Sequence, residues 1–394
     1  MQPVVDPAVF DPRLAQPELT LPPRGSLVAD RYLVGDDIGE GGMSVVFAAR
    51  DVRLGRDVAL KLLNPLLAGS RDIVTRFVNE ARTLAQLNCP HVVRVFDAGV
   101  SHLPGQPPLP FMVLELLKGA ELRHSLVERG AEDRRGFVGW MLQVCEGLAA
   151  AHVEGIIHRD LKPENLFITT EGDGTQVVKV LDFGIARSMQ LASSVTREGE
   201  RIGSPGYMSP EQIKDVRGVD ERSDIWSLGV IMYEGLAGVA PFRAEGAIQV
   251  CVEILTAPVV PLGTLRPDLS PELVAVVERC MQRAVEARFA NVADLADALA
   301  PHAYPAGADI AVRIRRRLGS RADALAPVSA ATASAAVPSG VLSRPLETSA
   351  TVAPAQESPV LLLTRSRALP SDPMKEAVRP LAQLGLAAFL PIRP

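Results

Sequence analysis

Hydrophobic residues keep two different rhythms along this chain. Between residues 32 and 117 they come in short β-rich runs broken by glycine and proline. These runs are Tyr32-Leu33-Val34, Val45-Val46-Phe47-Ala48, Val58-Ala59-Leu60-Lys61-Leu62-Leu63 and Phe111-Met112-Val113-Leu114-Glu115-Leu116-Leu117. Runs of that length bounded by turn residues predict strands. Residues 76–84 interrupt them with helical spacing that puts Phe77, Ala81 and Leu84 on one face. A further strand is expected to start within 91–97, and a proline-rich hairpin over 103–110 leads to the run at 111–117. After Gly119 the period lengthens. A short helix is predicted over 121–129 and a long one over 133–154, where Phe137, Met141, Val144, Leu148 and Ala151 recur every three or four residues. Val177-Val178-Lys179-Val180-Leu181 is one more strand, and helical patterns over 245–256, 271–283 and 291–300 complete the series. A β-rich first part with one main helix, followed by a mainly helical second part, predicts an α+β architecture.

The two ends keep neither rhythm. Residues 1–28 are proline-rich and mixed in pattern, and are expected to form a disordered arm. From about 303 the composition turns to Ala, Pro, Ser, Thr and Val, which predicts a mostly disordered tail over 303–394. Within it the basic run 313–317 is expected to be a solvated patch, and 375–390 a short amphipathic helix suited to docking a partner.

Composition narrows the picture. The chain has 394 residues, 47% of them hydrophobic, enough for a two-lobed enzyme with a sizeable core and additional segments. A net charge of −5 argues against a nucleic-acid partner. Cys89, Cys145, Cys251 and Cys280 lie far apart without a C-x-x-C pair, which predicts reduced core thiols. The amino-terminal residues lack the basic and apolar regions of a signal peptide, and Gln2 stands where myristoylation requires glycine. No run approaches the roughly 20 apolar residues of a membrane helix. A cytoplasmic protein without a membrane span is the expectation.

The chemistry centres on His158-Arg159-Asp160-Leu161-Lys162-Pro163-Glu164-Asn165, which follows the long apolar helix. An acid, a cation and an amide at Asp160, Lys162 and Asn165 suit a site that receives a proton, steadies a phosphate and holds a metal. Upstream, Ile38-Gly39-Glu40-Gly41-Gly42-Met43-Ser44-Val45-Val46 sets glycines between two strand-like stretches, where backbone can approach a phosphate closely. Lys61 is embedded in an apolar strand and needs an acidic partner; Glu80, on the predicted helix, is the candidate. Asp182-Phe183-Gly184 ends the strand 177–181, seventeen residues after Asn165. Taken singly these features have plainer readings: a turn, a lysine snorkelling from a sheet edge, an ordinary Asp-Phe-Gly loop.

Taken in order, they resemble the motif set of a bacterial eukaryotic-like (Hanks-type) serine/threonine protein kinase, over roughly residues 32–300. The resemblance implies a two-lobed protein kinase-like fold over 29–302, with lobes over 29–118 and 119–302. It implies ATP as phosphate donor with Mg2+, or Mn2+, as metal. Asp160 would orient the substrate hydroxyl and take its proton, and Lys162 would sit beside the γ-phosphate. Asn165 and Asp182 would hold the metal. Gly39, Glu40, Gly41, Gly42, Met43 and Ser44 would cover the phosphates, with Ser44 at the place of the third glycine. Lys61, paired with Glu80, would hold the α- and β-phosphates. Ile38, Val46 and Ala59 would sandwich the adenine, Leu114 would be the gatekeeper, and backbone groups of Glu115 and Leu117 would hydrogen-bond the base. Residues 182–211 resemble an activation segment closing at Ser209-Pro210-Glu211, with Ser204 where threonine is usual. Arg159 before Asp160 implies activation by phosphate in that segment, with Thr196 the first candidate and Ser193, Ser194 and Ser204 behind it. Glu211 and Arg288 would form a structural salt bridge, and Asp224, in Asp224-Ile225-Trp226-Ser227-Leu228-Gly229, would anchor the catalytic loop. The expected partners are protein substrates and a second kinase domain for autophosphorylation in trans. Two other classes compete: a catalytically dead kinase-fold scaffold and a small-molecule phosphotransferase. The first is opposed by the joint presence of Lys61, Asp160, Asn165 and Asp182. The second is opposed by the closure at 203–211 and by Asp224-x-Trp226.

Overall fold

Antiparallel pairing organises the first part of the chain. In the computed structural model, which describes residues 20–41, 43–102, 108–129, 133–183, 205–214 and 218–325, six strands form one sheet. They are β1 (Leu27–Val28), β2 (Tyr32–Glu40), β3 (Ser44–Asp51), β4 (Arg56–Leu63), β5 (Val95–Ser101) and β6 (Leu109–Glu115), in the spatial order β1-β2-β3-β4-β6-β5. Strand β4 sits centrally. From Val58 to Leu63 its side chains are at most 6% exposed, so both of its faces are covered and it reads as a continuous apolar run. Val58, Leu60 and Leu62 join a cluster with Val28, Tyr32 and Val45. Ala59 and Leu63 turn the other way, to Phe77, Ala81 and Leu84 of helix α1 (Arg71–Gln86).

The second part is mainly helical. After β7 (Gly119–Glu121) and α2 (Leu122–Arg129) comes α3 (Arg134–Val153), apolar on nearly every side and buried accordingly. Asp133 caps α3 by accepting a hydrogen bond from Gly136 N at 2.9 Å. Strands β8 (Leu166–Thr170) and β9 (Gln176–Val180) add to β7 in a three-stranded sheet. Then follow α4 (Pro210–Lys214), α5 (Arg222–Ala237), α6 (Ala247–Thr256), α7 (Leu262–Leu265), α8 (Pro271–Cys280) and α9 (Val292–Leu299). Helix α5 is buried along its length, and Trp226 stacks on Phe242 with ring centroids 6.0 Å apart. Cys89, Cys145 and Cys280 are buried thiols and Cys251 is half-buried. The lobes meet behind the site, where the loop after α1 joins β9. Val180 N donates to His91 O at 2.9 Å, and Val93 N donates to Val180 O at 3.1 Å.

Structure extends past both expected boundaries. The arm expected over 1–28 is ordered from Thr20 in the described part, with Leu27 and Val28 paired to Leu33 and Tyr32. The tail expected from 303 begins with a helix, α10 (Ala306–Leu325), laid against α3 and α9. Ile310, Ala311 and Ile314 form its buried stripe at helical spacing, a pattern that overall composition averages away. A side chain at Gly307 would meet Leu142 Cδ1 at 2.9 Å, so glycine permits this close approach. Nor is the basic run 313–317 simply a solvated patch. Arg313 forks onto Glu146 at 2.7 and 2.9 Å, and Arg315 pairs with Asp294 and Asp297. The segment 375–390 lies outside the described residues.

Candidate active site

The cleft between the lobes is roofed by β2, β3 and β4. Pairing places Val46 opposite Lys61, and Lys61 opposite Met112; one row along, Ala59 lies opposite Leu114. Because side chains alternate along a strand, Ala59 and Lys61 share a face. The glycine hairpin closes through Gly41 N donating to Ser44 O at 2.8 Å. Ile38, Gly39, Glu40 and Gly41 are exposed, Met43 and Val46 half-buried, and Ser44 buried; Gly42 lies outside the described residues. Leu114 is buried and Glu115 and Leu117 are half-buried. Glu115 N donates to Arg94 O at 3.0 Å. Its carboxylate accepts from Lys179 Nζ and Arg94 N, both at 2.8 Å.

Lys61 is 6% exposed and reaches two carboxylates. Its Nζ lies 3.2 Å from Glu80 Oε1 and 2.7 Å from Asp182 Oδ1. Burial opposes the ammonium charge, but Asp182 and Glu80 outweigh it and hold the lysine above its usual range. Glu80, also 6% exposed, is pushed upward by burial against the pull of Lys61. Asp182 is drawn down by Lys61 against its own desolvation. Its side chain is half exposed to the cleft.

The loop 158–165 is hung on one buried carboxylate. Asp224, fully buried on α5, accepts from His158 N at 2.9 Å, Arg159 N at 2.9 Å and His152 Nε2 at 2.8 Å. Burial resists its charge, and the bond from His152 leads the interactions that lower its carboxyl. Arg159 adopts φ +64° and Asp182 φ +45°, the left-handed region that non-glycine residues rarely enter. Both are held in place. Gln212 Nε2 donates to Arg159 O at 2.7 Å, and Leu181 N, beside Asp182, donates to Asn165 O at 2.8 Å. His158 Nδ1 accepts from Asp160 N at 3.3 Å, which assigns the proton to Nε2, donated to Leu181 O at 2.9 Å. Phe183 is fully buried against the His158 ring, with centroids 4.6 Å apart.

Within this frame Asp160, Lys162 and Asn165 meet. Lys162 Nζ is 3.1 Å from Asp160 Oδ2; Asn165 Nδ2 donates to Asp160 O at 2.8 Å and to Oδ2 at 3.2 Å. The amide nitrogen of Asn165 is thus committed to the loop, which leaves its carbonyl oxygen as the available donor to a cation. With the half-exposed Asp182, that makes two hard oxygen ligands on facing segments, a set that fits Mg2+ sharing its remaining positions with water and phosphate.

The expected pair Glu211–Arg288 is present at 2.7 Å, with Arg288 buried. Thr196, Ser193, Ser194 and Ser204 lie outside the described residues. Sequence reasoning did not single out His152, Gln212 or Arg123 as partners of the loop. His152 is one more position on an apolar helix, and Gln212 follows the closure motif. The contacts of Arg123 are 41, 84 and 111 residues away, beyond the reach of any spacing rule.

Residues 32–304 match the family model described as protein kinase domain. The chain is 39% identical over 270 residues to serine/threonine-protein kinase PknL of Mycobacterium tuberculosis, covering 68% of this chain and 65% of that one. It is 38% identical over 285 residues to PknB of Mycobacterium leprae, covering 72% and 44%. It therefore spans less than two thirds of the length of these relatives. Among solved structures, the Mycobacterium tuberculosis PknI kinase domain superposes with a TM-score of 0.54 at 26% identity, over 72% of this chain and 100% of that one.

Proposed function

The chain belongs to the protein kinase domain family, and from that premise we propose that it is an ATP-dependent serine/threonine protein kinase acting in signal transduction. It transfers the γ-phosphate of ATP to serine and threonine hydroxyls of proteins. The observation that carries this reading is the convergence of Lys61, Glu80 and Asp182 with the loop bearing Asp160, Lys162 and Asn165.

Phosphoryl transfer asks a protein mainly for positioning and charge. Glu80 fixes the Lys61 ammonium, which binds the α- and β-phosphates. Asp160 orients the acceptor hydroxyl and receives its proton. Lys162, beside Asp160, neutralises the phosphoryl oxygens. Asn165 and Asp182 would hold Mg2+, with Mn2+ as substitute; when bound, the metal offsets charge on the β- and γ-phosphates. Ala59, Val46 and Ile38 enclose the adenine, with Leu114 at the back and the Glu115 carbonyl and Leu117 backbone at its edge.

Regulation by phosphate on the activation segment belongs to the same reading, with Thr196 first and Ser193, Ser194 and Ser204 as alternatives. Arg159 supports it: its Nε is buried and has no acceptor among the described residues. A second copy of the kinase domain is the proposed agent, and cytoplasmic protein substrates are the proposed targets. Among the described residues no helix is long and apolar enough to cross a membrane.

The test is transfer from labelled ATP with Mg2+ to a generic protein substrate, comparing wild type with Asp160→Asn. Loss of a positioned base should cost about 10²–10⁴-fold in rate, with the label on Ser and Thr. Undiminished transfer by Asp160→Asn, or none by the wild type, would overturn the reading.

A further inference from the structure

Beside the phosphate-handling residues, a cation stands on an acidic cluster at the flank of the catalytic loop. Arg123, near the start of α2, donates through Nε to Glu164 Oε1 at 2.5 Å and through Nη1 to Glu234 Oε1 at 3.3 Å. Its Nη2 donates to Tyr207 OH, and that hydroxyl donates to Glu234 Oε2 at 2.5 Å. Glu121 is exposed and within electrostatic range of the same groups. Burial and the charge of Glu164 push its carboxyl upward, while Arg123, Lys162 and His124 pull it back. Two carboxylates from two elements thus bond one guanidinium, whose planar fork can serve several acceptors at once.

The location gives this cluster a use. Glu164 lies in the catalytic loop itself, between Lys162 and Asn165 and four residues after Asp160. A substrate segment that brings its hydroxyl to Asp160 runs past this flank. At about 3.3 Å per extended residue, positions within a few residues of the acceptor come within reach of the carboxylates. Such a pocket of carboxylates would recruit a basic substrate residue, and Arg123 already occupies it.

We propose that Arg123 is a specificity-determining residue: its guanidinium fills, from within the chain, the acidic pocket of Glu164 and Glu234 that would otherwise take a lysine or arginine of the protein substrate. The wild-type kinase accordingly gains nothing from basic residues flanking the phosphoacceptor. Removing the guanidinium opens the pocket and creates that preference. This inference rests on the kinase reading above.

The experiment compares single-serine peptides carrying arginine at one flanking position at a time with the all-alanine parent, for wild type, Arg123→Met and Arg123→Lys. For the wild type, the ratio of kcat/KM between arginine and alanine peptides should stay within about threefold at every position, whereas Arg123→Met should raise it about tenfold or more at one or more positions, mainly through KM. The gain should shrink at high salt, and Arg123→Lys, which restores a cation, should behave like wild type. A second readout does not need turnover. An arginine peptide with serine replaced by alanine should raise the melting temperature of Arg123→Met and leave that of the wild type unchanged. A wild type that already prefers arginine tenfold, or a Met variant with an unchanged ratio, overturns the proposal. If the Met variant does not fold, the wild-type ratios decide by the same criterion. A wild type that phosphorylates no peptide defeats the kinase reading instead, and the melting comparison then decides the pocket alone.

Discussion

The Lys61–Glu80 pair in the first lobe and the Glu211–Arg288 pair in the second are both shielded from water, and they differ in how completely their hydrogen bonding is used. Arg288 donates to both oxygens of Glu211, at 2.7 and 2.8 Å, and also to Arg222 O and Gln282 O. Glu211 further accepts from Ser223 Oγ at 2.5 Å. Lys61 has one long contact to Glu80 and one shorter contact to Asp182, a residue half open to the cleft. A saturated pair can only hold its neighbours in place. On the proposed reading, an unsaturated one keeps a donor for a phosphate and would let Asp182 exchange its partner for a metal. Burial alone does not mark a working charge; what distinguishes it is burial with bonding capacity left over.

The sharpest way to break that comparison is to remove one cation from each pair. Lys61→Met should abolish phosphoryl transfer, a loss of about 10³-fold, because a preorganised donor to the phosphates disappears. Its stability should change little, since burial already favours a protonated Glu80 and the unpaired acid can take a proton. Arg288→Met should do the reverse. Breaking a buried, fully bonded pair costs about 3–5 kcal/mol, read as a lower urea midpoint, with near-normal kcat/KM for the molecules that remain folded. Equal urea midpoints for the two variants would erase the distinction.

A smaller effect sharpens it by pH. Burial pushes the Glu211 carboxyl up, but the bonds from Arg288 and Ser223 prevail and hold it down to about 2. A carboxyl lowered in the folded state stabilises fully above its unfolded value, near 4.3, and this contribution fades as pH falls toward 2. Glu211 should therefore contribute about 2–3 kcal/mol of the fall in stability, read from urea midpoints, between about pH 5 and pH 2. Arg288→Met should flatten that dependence; a slope unchanged by the substitution would place the titration elsewhere.

What was legible in the sequence follows from the range of each interaction. Lys61 and Glu80 could be matched because a strand and a helix each announce themselves by period, and the helix has a glutamate on its apolar face. Asp160, Lys162 and Asn165 act within one loop, so spacing alone brought them together. Asp224 and the Glu211–Arg288 pair needed the family resemblance, since no local pattern links residues 77 apart. Arg123 stayed invisible because an arginine on a half-exposed helix has no signature until its distant acceptors are in place. The helix over 306–325 was hidden for a different reason. Alanine, proline and serine dominate the tail as a whole, and the Ile310–Ile314 stripe is too short to change that average.

That helix supplies a pair intermediate between the two extremes, and with it the smallest predicted effect. Glu146 on α3 is 5% exposed, while Arg313, which forks onto it, keeps half of its side chain in water. His91, whose Nε2 lies 3.6 Å from the same carboxylate, adds at most a weak third contact. Solvent reaches the cation but not the acid. Removing the cation should therefore cost less than breaking Glu211–Arg288 and more than a surface pair. Arg313→Ala should destabilise by about 1–2 kcal/mol, the penalty of an under-bonded buried carboxylate eased by nearby His91 and by water entering where the guanidinium was. The double change Arg313→Ala with Glu146→Gln should recover part of that loss, because it removes the stranded charge. A loss as large as that of Arg288→Met would mean that α10 belongs to the core of the second lobe. No loss would mean that the buried stripe of Ile310, Ala311 and Ile314 holds the helix without help from charge.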